Sequence, residues 1–227
     1  MIEKIGFIHT GSAIVSIFEK LMKEKLPQKH YFNLVDDSII KDLLNEDKDL
    51  VNDLNTSSSI VRRISRLVIQ AAEAGADVIM FTCSSISPVA DIADKLVDIP
   101  VYKVDAPMAD AAISMGKNIG ILATAKSTLN PSVNLILKKA ELKGKNVNVE
   151  SLLISEAFNC FLKGDMEEHD RLIIEKGIKL VEVEKVDVII LAQASMSHLA
   201  EGISKKTNVP VLTSPPLAVE FLKSRSS

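Results

Sequence analysis

Two stretches decide the fold: Gly75-Ala-Asp-Val-Ile-Met-Phe81 and Lys185-Val-Asp-Val-Ile-Ile-Leu191. In each, an aspartate is followed by four consecutive apolar residues with no polar alternation. A strand that is apolar on both faces is covered on both faces, which is the condition of a parallel sheet between helical layers. The two stretches superpose at an offset of 110 residues, and the same offset carries Ile99-Pro-Val-Tyr102 onto Val209-Pro-Val-Leu212. Ile5-Gly-Phe-Ile-His-Thr10 matches Ile119-Gly-Ile-Leu-Ala-Thr124 at an offset of 114, a drift that one loop insertion accounts for. An internal duplication is therefore expected.

Outward from these stretches, strand-length apolar runs occur at Lys4–His9, Tyr31–Val35, Val78–Thr82, Val101–Val104, Ile119–Ala123, Val147–Leu152, Val188–Ala192 and Val209–Leu212. Helical periodicity separates them at Ile14–Lys25, Leu54–Ala74, Ile86–Leu96, Met108–Met115, Thr128–Ala140, Glu168–Glu184 and Ser195–Lys205, with a last helix at Leu217–Lys223. The alternation predicts an α/β protein of two pseudo-symmetric Rossmann-like or flavodoxin-like halves with parallel sheets, and an active site in the cleft between them. The expected boundaries are 1–104 for the first half, with a C-terminal helix at 213–227 packed on it, and 105–212 for the second.

Composition narrows the class. The 227 residues carry 27 Lys+Arg against 30 Asp+Glu, a net charge of −3, with both signs scattered. Such a surface has no electrostatic footprint for nucleic acid or an anionic membrane. Trp is absent and aromatic residues make up 4%, which leaves little material for base-stacking platforms. No apolar run reaches the ~18 residues of a membrane span, the N-terminus does not read as a secretory signal, and two cysteines are too few for a disulfide framework. A soluble cytoplasmic protein is expected. Neither a glycine-rich nucleotide loop nor a metal-ligand spacing occurs: Cys83 and Cys160 are 77 positions apart, and the pairs Asp36-Asp37 and Glu167-Glu168 lack a third ligand. The charged runs Lys41–Asp49 and Lys138–Lys145 read as solvated faces.

Ligands of open parallel sheets bind beyond the carboxyl ends of the strands. Four such ends are rich in small hydroxyl residues: His9-Thr-Gly-Ser12, Thr82-Cys-Ser-Ser85, Ala123-Thr-Ala-Lys-Ser-Thr128 and Gln193-Ala-Ser-Met-Ser197. Taken singly, each hydroxyl reads as a helix cap. Taken together, they suit a small carboxylate or phosphate at helix N-termini. Cys83 follows a buried strand and precedes a helix start, where the dipole favours a thiolate; the alternative for such a cysteine is a small buried hydrophobe.

In these loops the chain resembles the aspartate/glutamate racemase superfamily, which also includes hydantoin racemases, maleate isomerase and arylmalonate decarboxylase. The resemblance rests on His9-Thr-Gly-Ser12, Phe81-Thr-Cys-Ser-Ser85, Gly120-Ile-Leu-Ala-Thr124 and Asp187-Val-Ile-Ile-Leu-Ala-Gln-Ala-Ser-Met196, in that order and spacing. It implies cofactor-free chemistry at the carbon next to a carboxylate of a small amino acid or dicarboxylic acid, in a homo-oligomer, a dimer by resemblance. Family racemases set two cysteines on opposite faces of the substrate. Cys83 matches the first as acid, base or nucleophile, and Gln193 stands at the place of the second. An amide does no acid–base work near neutral pH. Three outcomes are thus open for a chain of this kind: a racemase-type isomerase with another second acid, a single-cysteine decarboxylase, lyase or cis–trans isomerase, and a non-catalytic carboxylate-binding protein.

Gln193, His9 and His198 are the auxiliary candidates. The expected substrate-binding set is Thr10, Gly11, Ser12, Thr82, Ser84, Ser85, Thr124, Ser127, Thr128, Ala194 and Ser195, with no metal and no cofactor. His198 reads first as an exposed or capping histidine, and only second as a side chain that approaches the site from the next helix. Cys160 reads as packing, and Lys163, which resembles a cation-supplying loop position of some aspartate racemases, as a solvated lysine. His30 and His169 are expected in polar surroundings without a role.

Overall fold

The computed structural model describes residues 2–45 and 57–226. Residues 54–56 of the helix expected from Leu54, residues 46–49 of the charged run from Lys41, and the terminal Met1 and Ser227 lie outside the described residues. The chain divides into two compact units, 1–106 with 215–227, and 107–214.

In the first unit, strands β1 (Lys4–His9), β2 (His30–Val35), β3 (Val78–Phe81) and β4 (Val101–Lys103) form one parallel sheet in the order β2-β1-β3-β4. The helices are α1 (Val15–Lys25), α2 (Ser38–Asn45), α3 (Ser58–Glu73) and α4 (Ser87–Ala93). Successive strand residues serve opposite faces. Ile8, Ile79 and Phe81 pack with Ile60, Ile64, Val68 and Ala71 of α3 and with Val89, Ala90 and Ala93 of α4. Ile5, Phe7, Val78 and Met80 pack on the other side with Phe18 and Met22 of α1. There they meet Ala218, Val219 and Leu222, which lie late in the chain.

The second unit repeats the plan. It contains α5 (Ala106–Met115), which starts at the unit boundary, β5 (Asn118–Ala123), α6 (Lys126–Leu142), β6 (Asn148–Leu153), α7 (Ser155–Lys163), α8 (Met166–Glu184), β7 (Val188–Leu191), α9 (Ala200–Thr207) and β8 (Val211–Thr213). The last helix, α10 (Ser214–Arg225), carries Ala218, Val219 and Leu222 back to the first sheet. The second sheet is parallel in the order β6-β5-β7-β8, the same order as the first.

The repetition extends to register and hydrogen bonds. Ile5 and Gly6 pair with Val78 and Ile79, and their counterparts Ile119 and Gly120 pair with Val188 and Ile189. Asp77 Oδ2 accepts from the backbone N–H groups of Glu3 and Lys4 at 2.7 and 2.8 Å. Asp187 Oδ2 does the same for Lys117 and Asn118 at 2.8 and 2.7 Å. Each aspartate thus clamps the start of the neighbouring strand and satisfies donors that the sheet leaves unpaired. The turns into the two central strands also agree: Gly75 and Lys185, 110 apart, both adopt positive φ (78° and 54°), conformations easy for glycine and uncommon for lysine.

Most strands agree with the sequence reading within two residues, and the differences have physical causes. The last strand begins at Val211 rather than Val209 because Pro210 has no N–H and serves only as an acceptor, from Ile189 N at 2.9 Å. The helix expected over Ile86–Leu96 is α4 between two 3₁₀ turns, Ser84–Ile86 and Asp94–Leu96, with Pro88 in its first turn. The helix expected over Ser195–Lys205 is a 3₁₀ segment, Ala194–Leu199, followed by α9. Helix α2 falls partly on the run read as a solvated charged face, yet Ile39 and Leu43, one turn apart, are buried. No helix among the described residues is long and apolar enough to cross a membrane.

Candidate active site

The first sheet carries its hydroxyl-rich loops where β1 and β3 end. His9, the last residue of β1, is fully buried. Its Nε2 lies 2.9 Å from Asn33 Oδ1, and its Nδ1 lies 2.8 Å from Thr82 Oγ1, which also donates to the Ile8 carbonyl at 3.0 Å. Burial pushes the His9 imidazole below its ordinary value, against the opposing effects of the Asn33 hydrogen bond and the Glu19 charge. The neutral ring donates from Nε2 to the amide oxygen and accepts at Nδ1, so the single Thr82 hydroxyl proton is shared between Nδ1 and the Ile8 carbonyl. Both nitrogens are committed, so His9 is a strut that orients Thr82, not a side chain open to a ligand. Thr10 is buried, Gly11 half-buried and extended (φ −158°), and Ser12 exposed at the start of a 3₁₀ turn.

Cys83 follows β3 directly. Its backbone is extended (φ −126°, ψ 121°), its side chain is half-buried against the α3 and α4 core, and its carbonyl accepts from Ile86 N at 3.3 Å to open the 3₁₀ turn. Thr82, Ser84 and Ser85 around it are buried. Beneath this loop lies Asp105, which the sequence reading missed. It is 1% exposed, and both its oxygens accept from the Ser87 hydroxyl, at 3.0 and 3.1 Å. Burial pushes its carboxyl above the ordinary range; hydrogen bonds from Ser87, its own N–H and Ser84, and the Lys103 charge, oppose that rise. Its position just past β4, at a strand's carboxyl end, was the available signal.

The second sheet repeats this plan with other side chains. Thr124, Ser127 and Thr128 are buried where β5 passes into α6, whose first residue follows the extended Ala125. Gln193 follows β7 as Cys83 follows β3: it is extended (φ −120°, ψ 136°), half-buried, and opens the 3₁₀ segment with Met196 N donating to its carbonyl at 3.0 Å. The amide carbonyl of Gln193 accepts from Thr124 N at 2.6 Å and Thr124 Oγ1 at 3.0 Å. Ser127 Oγ is buried without a hydrogen-bond partner.

Ala194 and Ser195 are half-buried. His198 is exposed, and its ring bridges Ser195 O (3.0 Å from Nδ1) and Asp170 Oδ2 (2.8 Å from Nε2). Burial works to raise the Asp170 carboxyl, but hydrogen bonds from His169 and His198 hold it below its ordinary value. His198 thus ties the loop after Gln193 to α8. His169 corrects the sequence reading: it is 1% exposed rather than in polar surroundings, because α8 turns it under Phe161 with Nδ1 on Asp170 Oδ1 at 2.7 Å. His30 and Lys163 are exposed, and Cys160 is half-buried on α7. Among the described residues no group of three His, Cys, Asp or Glu could hold a metal ion.

A family model described as Asp/Glu/Hydantoin racemase matches residues 5–222. No curated protein matches the sequence. Among solved structures, glutamate racemase from Francisella tularensis subsp. tularensis SCHU S4, in complex with D-glutamate, is similar at 18% identity and TM-score 0.71, covering 98% of this chain and 80% of that one. Picrophilus torridus aspartate racemase is 22% identical with TM-score 0.66, covering 99% and 94%. Allantoin racemase from Klebsiella pneumoniae is 14% identical with TM-score 0.70, covering 98% and 87%.

Proposed function

Because the chain belongs to the Asp/Glu/Hydantoin racemase family, whose isomerases work without pyridoxal phosphate, we propose that it acts at the carbon next to the carboxylate of a small amino acid or dicarboxylic acid, with Cys83 as the reacting thiol. One observation carries the reading: Cys83 is half-buried where the central strand of its sheet ends, in a loop whose Thr82, Ser84 and Ser85 are buried. Without an external electron sink, the carbanion left by α-proton removal must be spread over the carboxylate and held by oriented donors. Thr10, Gly11, Ser12, Ser84 and Ser85, in the same unit as Cys83, supply hydroxyl and backbone N–H donors for that task, and Thr82 is held in place by His9. Thr124, Ser127, Thr128, Ala194 and Ser195 offer the same kinds of donor in the corresponding loops of the second unit. The enzyme works in the cytoplasm as a homo-oligomer.

Replacing Cys83 by Ala tests the reading. Loss of turnover on a panel of small amino acids and dicarboxylic acids is expected, by at least the ~10²–10⁴-fold that a general acid or base contributes; full activity refutes it. Gln193 favours a second reading, a single-thiol lyase or cis–trans isomerase. Loss of carbon dioxide from a substituted malonate or isomerisation of maleate, without α-proton exchange on any amino acid, selects it.

A further inference from the structure

We propose that Asp105 is a positioning residue for the Cys83 thiol: it draws the Ser84 and Ser87 hydroxyls inward, fixes the turn that follows the cysteine, and leaves Ser84 its backbone N–H alone for a substrate. This rests on the function proposed above, and every residue in it belongs to the first unit. A buried carboxyl is costly to keep. Asp105 is 1% exposed, and the two side chains that donate to it, Ser84 and Ser87, both lie just past the thiol. The Ser87 hydroxyl is 3.0 and 3.1 Å from the two carboxyl oxygens, so it sits symmetrically against the group.

The backbone separates the thiol from its neighbours. Cys83 is extended (φ −126°, ψ 121°), and side chains alternate along an extended chain, so Thr82 and Ser84 point away from the face that carries Cys83. Cys83 packs with Phe81 beside α3 and α4. Hydrogen bonds spend both neighbouring hydroxyls inside the protein: Thr82 on His9 and the Ile8 carbonyl, and Ser84 on Asp105. Asp105 is itself fixed, because the Val104 N–H donates to the Phe81 carbonyl at 3.0 Å and Lys103 pairs with Asp91 of α4 at 2.7 Å. The residues before Asp105 are therefore tied to the strand before Cys83 and to the helix after it, and Asp105 closes the frame on the turn between them.

Buried beneath the loop, Asp105 acts only through these serines. A thiol that takes or returns a proton must be held close to its target, and a misplacement of about 1 Å costs on the order of 10²-fold in rate. Ser84 follows Cys83 directly, so releasing its hydroxyl changes the direction of the thiol and leaves the groups that hold the substrate in place. The expected mark is a loss in kcat rather than a rise in KM.

The test uses the full chain as wild type, Cys83→Ala, Ser84→Ala, Asp105→Ala and Asp105→Asn. Turnover is measured on the panel of small amino acids and dicarboxylic acids. Without substrate, the rate at which iodoacetamide labels Cys83 is read by peptide mass spectrometry, with Cys160 in the same molecule as the control. Ser84→Ala and Asp105→Ala should each lower kcat by about 10- to 100-fold with KM little changed. Both should label Cys83 several-fold faster as the turn loosens, with Cys160 labelled at the wild-type rate. Asp105→Asn, which keeps an acceptor, should recover most of the kcat lost in Asp105→Ala. Ser84→Ala leaves the Ser87–Asp105 pair intact and carries the test by itself where Asp105→Ala does not fold. A raised KM with unchanged kcat in Ser84→Ala would put its hydroxyl on the substrate, and unchanged kcat and labelling in either alanine variant would give Asp105 a role in stability only. Either result overturns the inference and leaves the thiol chemistry standing. Turnover that survives in Cys83→Ala, or none by wild type across the panel, overturns the proposed function and this inference with it, whatever the labelling rates.

Discussion

Asp105 allows the cysteine loop to be probed without touching the thiol. Its carboxyl is 1% exposed, receives the Ser87 hydroxyl on both oxygens, and is pushed above the ordinary carboxylate range by burial. An aspartate whose folded value is raised binds its proton more tightly in the native state than in the unfolded chain. Its contribution is therefore most favourable below the unfolded value of roughly 3.9 and declines as pH rises through the folded value. Asp105→Asn has nearly the same shape, keeps an acceptor for Ser87 and carries no charge at any pH. The stability of wild type relative to this variant should fall as pH rises across that window, by at most about 1.4 kcal/mol per pH unit because one proton is involved, and then level off. Asp105→Ala should behave differently. It leaves the Ser87 hydroxyl, itself 4% exposed, without its acceptor and opens a small void, for a cost of about 1–3 kcal/mol that is greatest at low pH. Urea unfolding of the three proteins in steps from about pH 4 to about pH 8 measures both effects, and the other titrating groups cancel in the differences. A wild-type-minus-Asn difference that is flat across this range, or that grows with pH, would refute the reasoning.

Two further outcomes follow from the repeat. A Cβ on Gly120 would lie 3.0 Å from Leu180 Cδ1 and 3.2 and 3.3 Å from the two Val186 methyls, so Gly120→Ala should cost about 1–3 kcal/mol, and adding Val186→Ala, the residue that Ala76 supplies in the first unit, should recover much of it in a double-mutant cycle. Asp77→Ala and Asp187→Ala should each cost about 1 kcal/mol, because their hydrogen bonds are to a charged acceptor but exposed to water; the backbone hydrogen bonds from Glu3 and Lys4 hold the Asp77 carboxyl below its ordinary value, so its share is present above the unfolded value and is lost as the solution is acidified, which unfolding curves on the acid side should show.

The frame was legible because buried parallel strands leave a run with no polar alternation, and because the same run occurs twice at one offset. The shared order of strands, the register of Ile5 on Val78 and Ile119 on Val188, and the two aspartate clamps are consequences of that repetition. What escaped was local competition. A window dense in charge around Lys41 hid the buried one-turn pair Ile39 and Leu43, whose helix is tied to α3 by Arg63 bridging Asp36 and Asp42. In the loops, position was readable and partnership was not. Nothing in the order of residues announces that His9 would spend both nitrogens on Asn33 and Thr82, that Asp105 would lie beneath the serines next to Cys83, or that Gln193 would be held by Thr124. Those pairings join segments from 18 to 73 positions apart and exist only once the sheet has formed.

The twin aspartate clamps sit at the amino-terminal ends of the central strands, and the residues that differ between the units, Cys83 against Gln193 and His9 against Ala123, sit at the carboxyl ends. Each strand is therefore anchored at one end and free to specialise at the other. The two units carry a thiol at one of these places and an amide at the other and keep the same strand order. The chain holds its own control: any substitution in a carboxyl-end loop can be compared with the counterpart that the other half already carries.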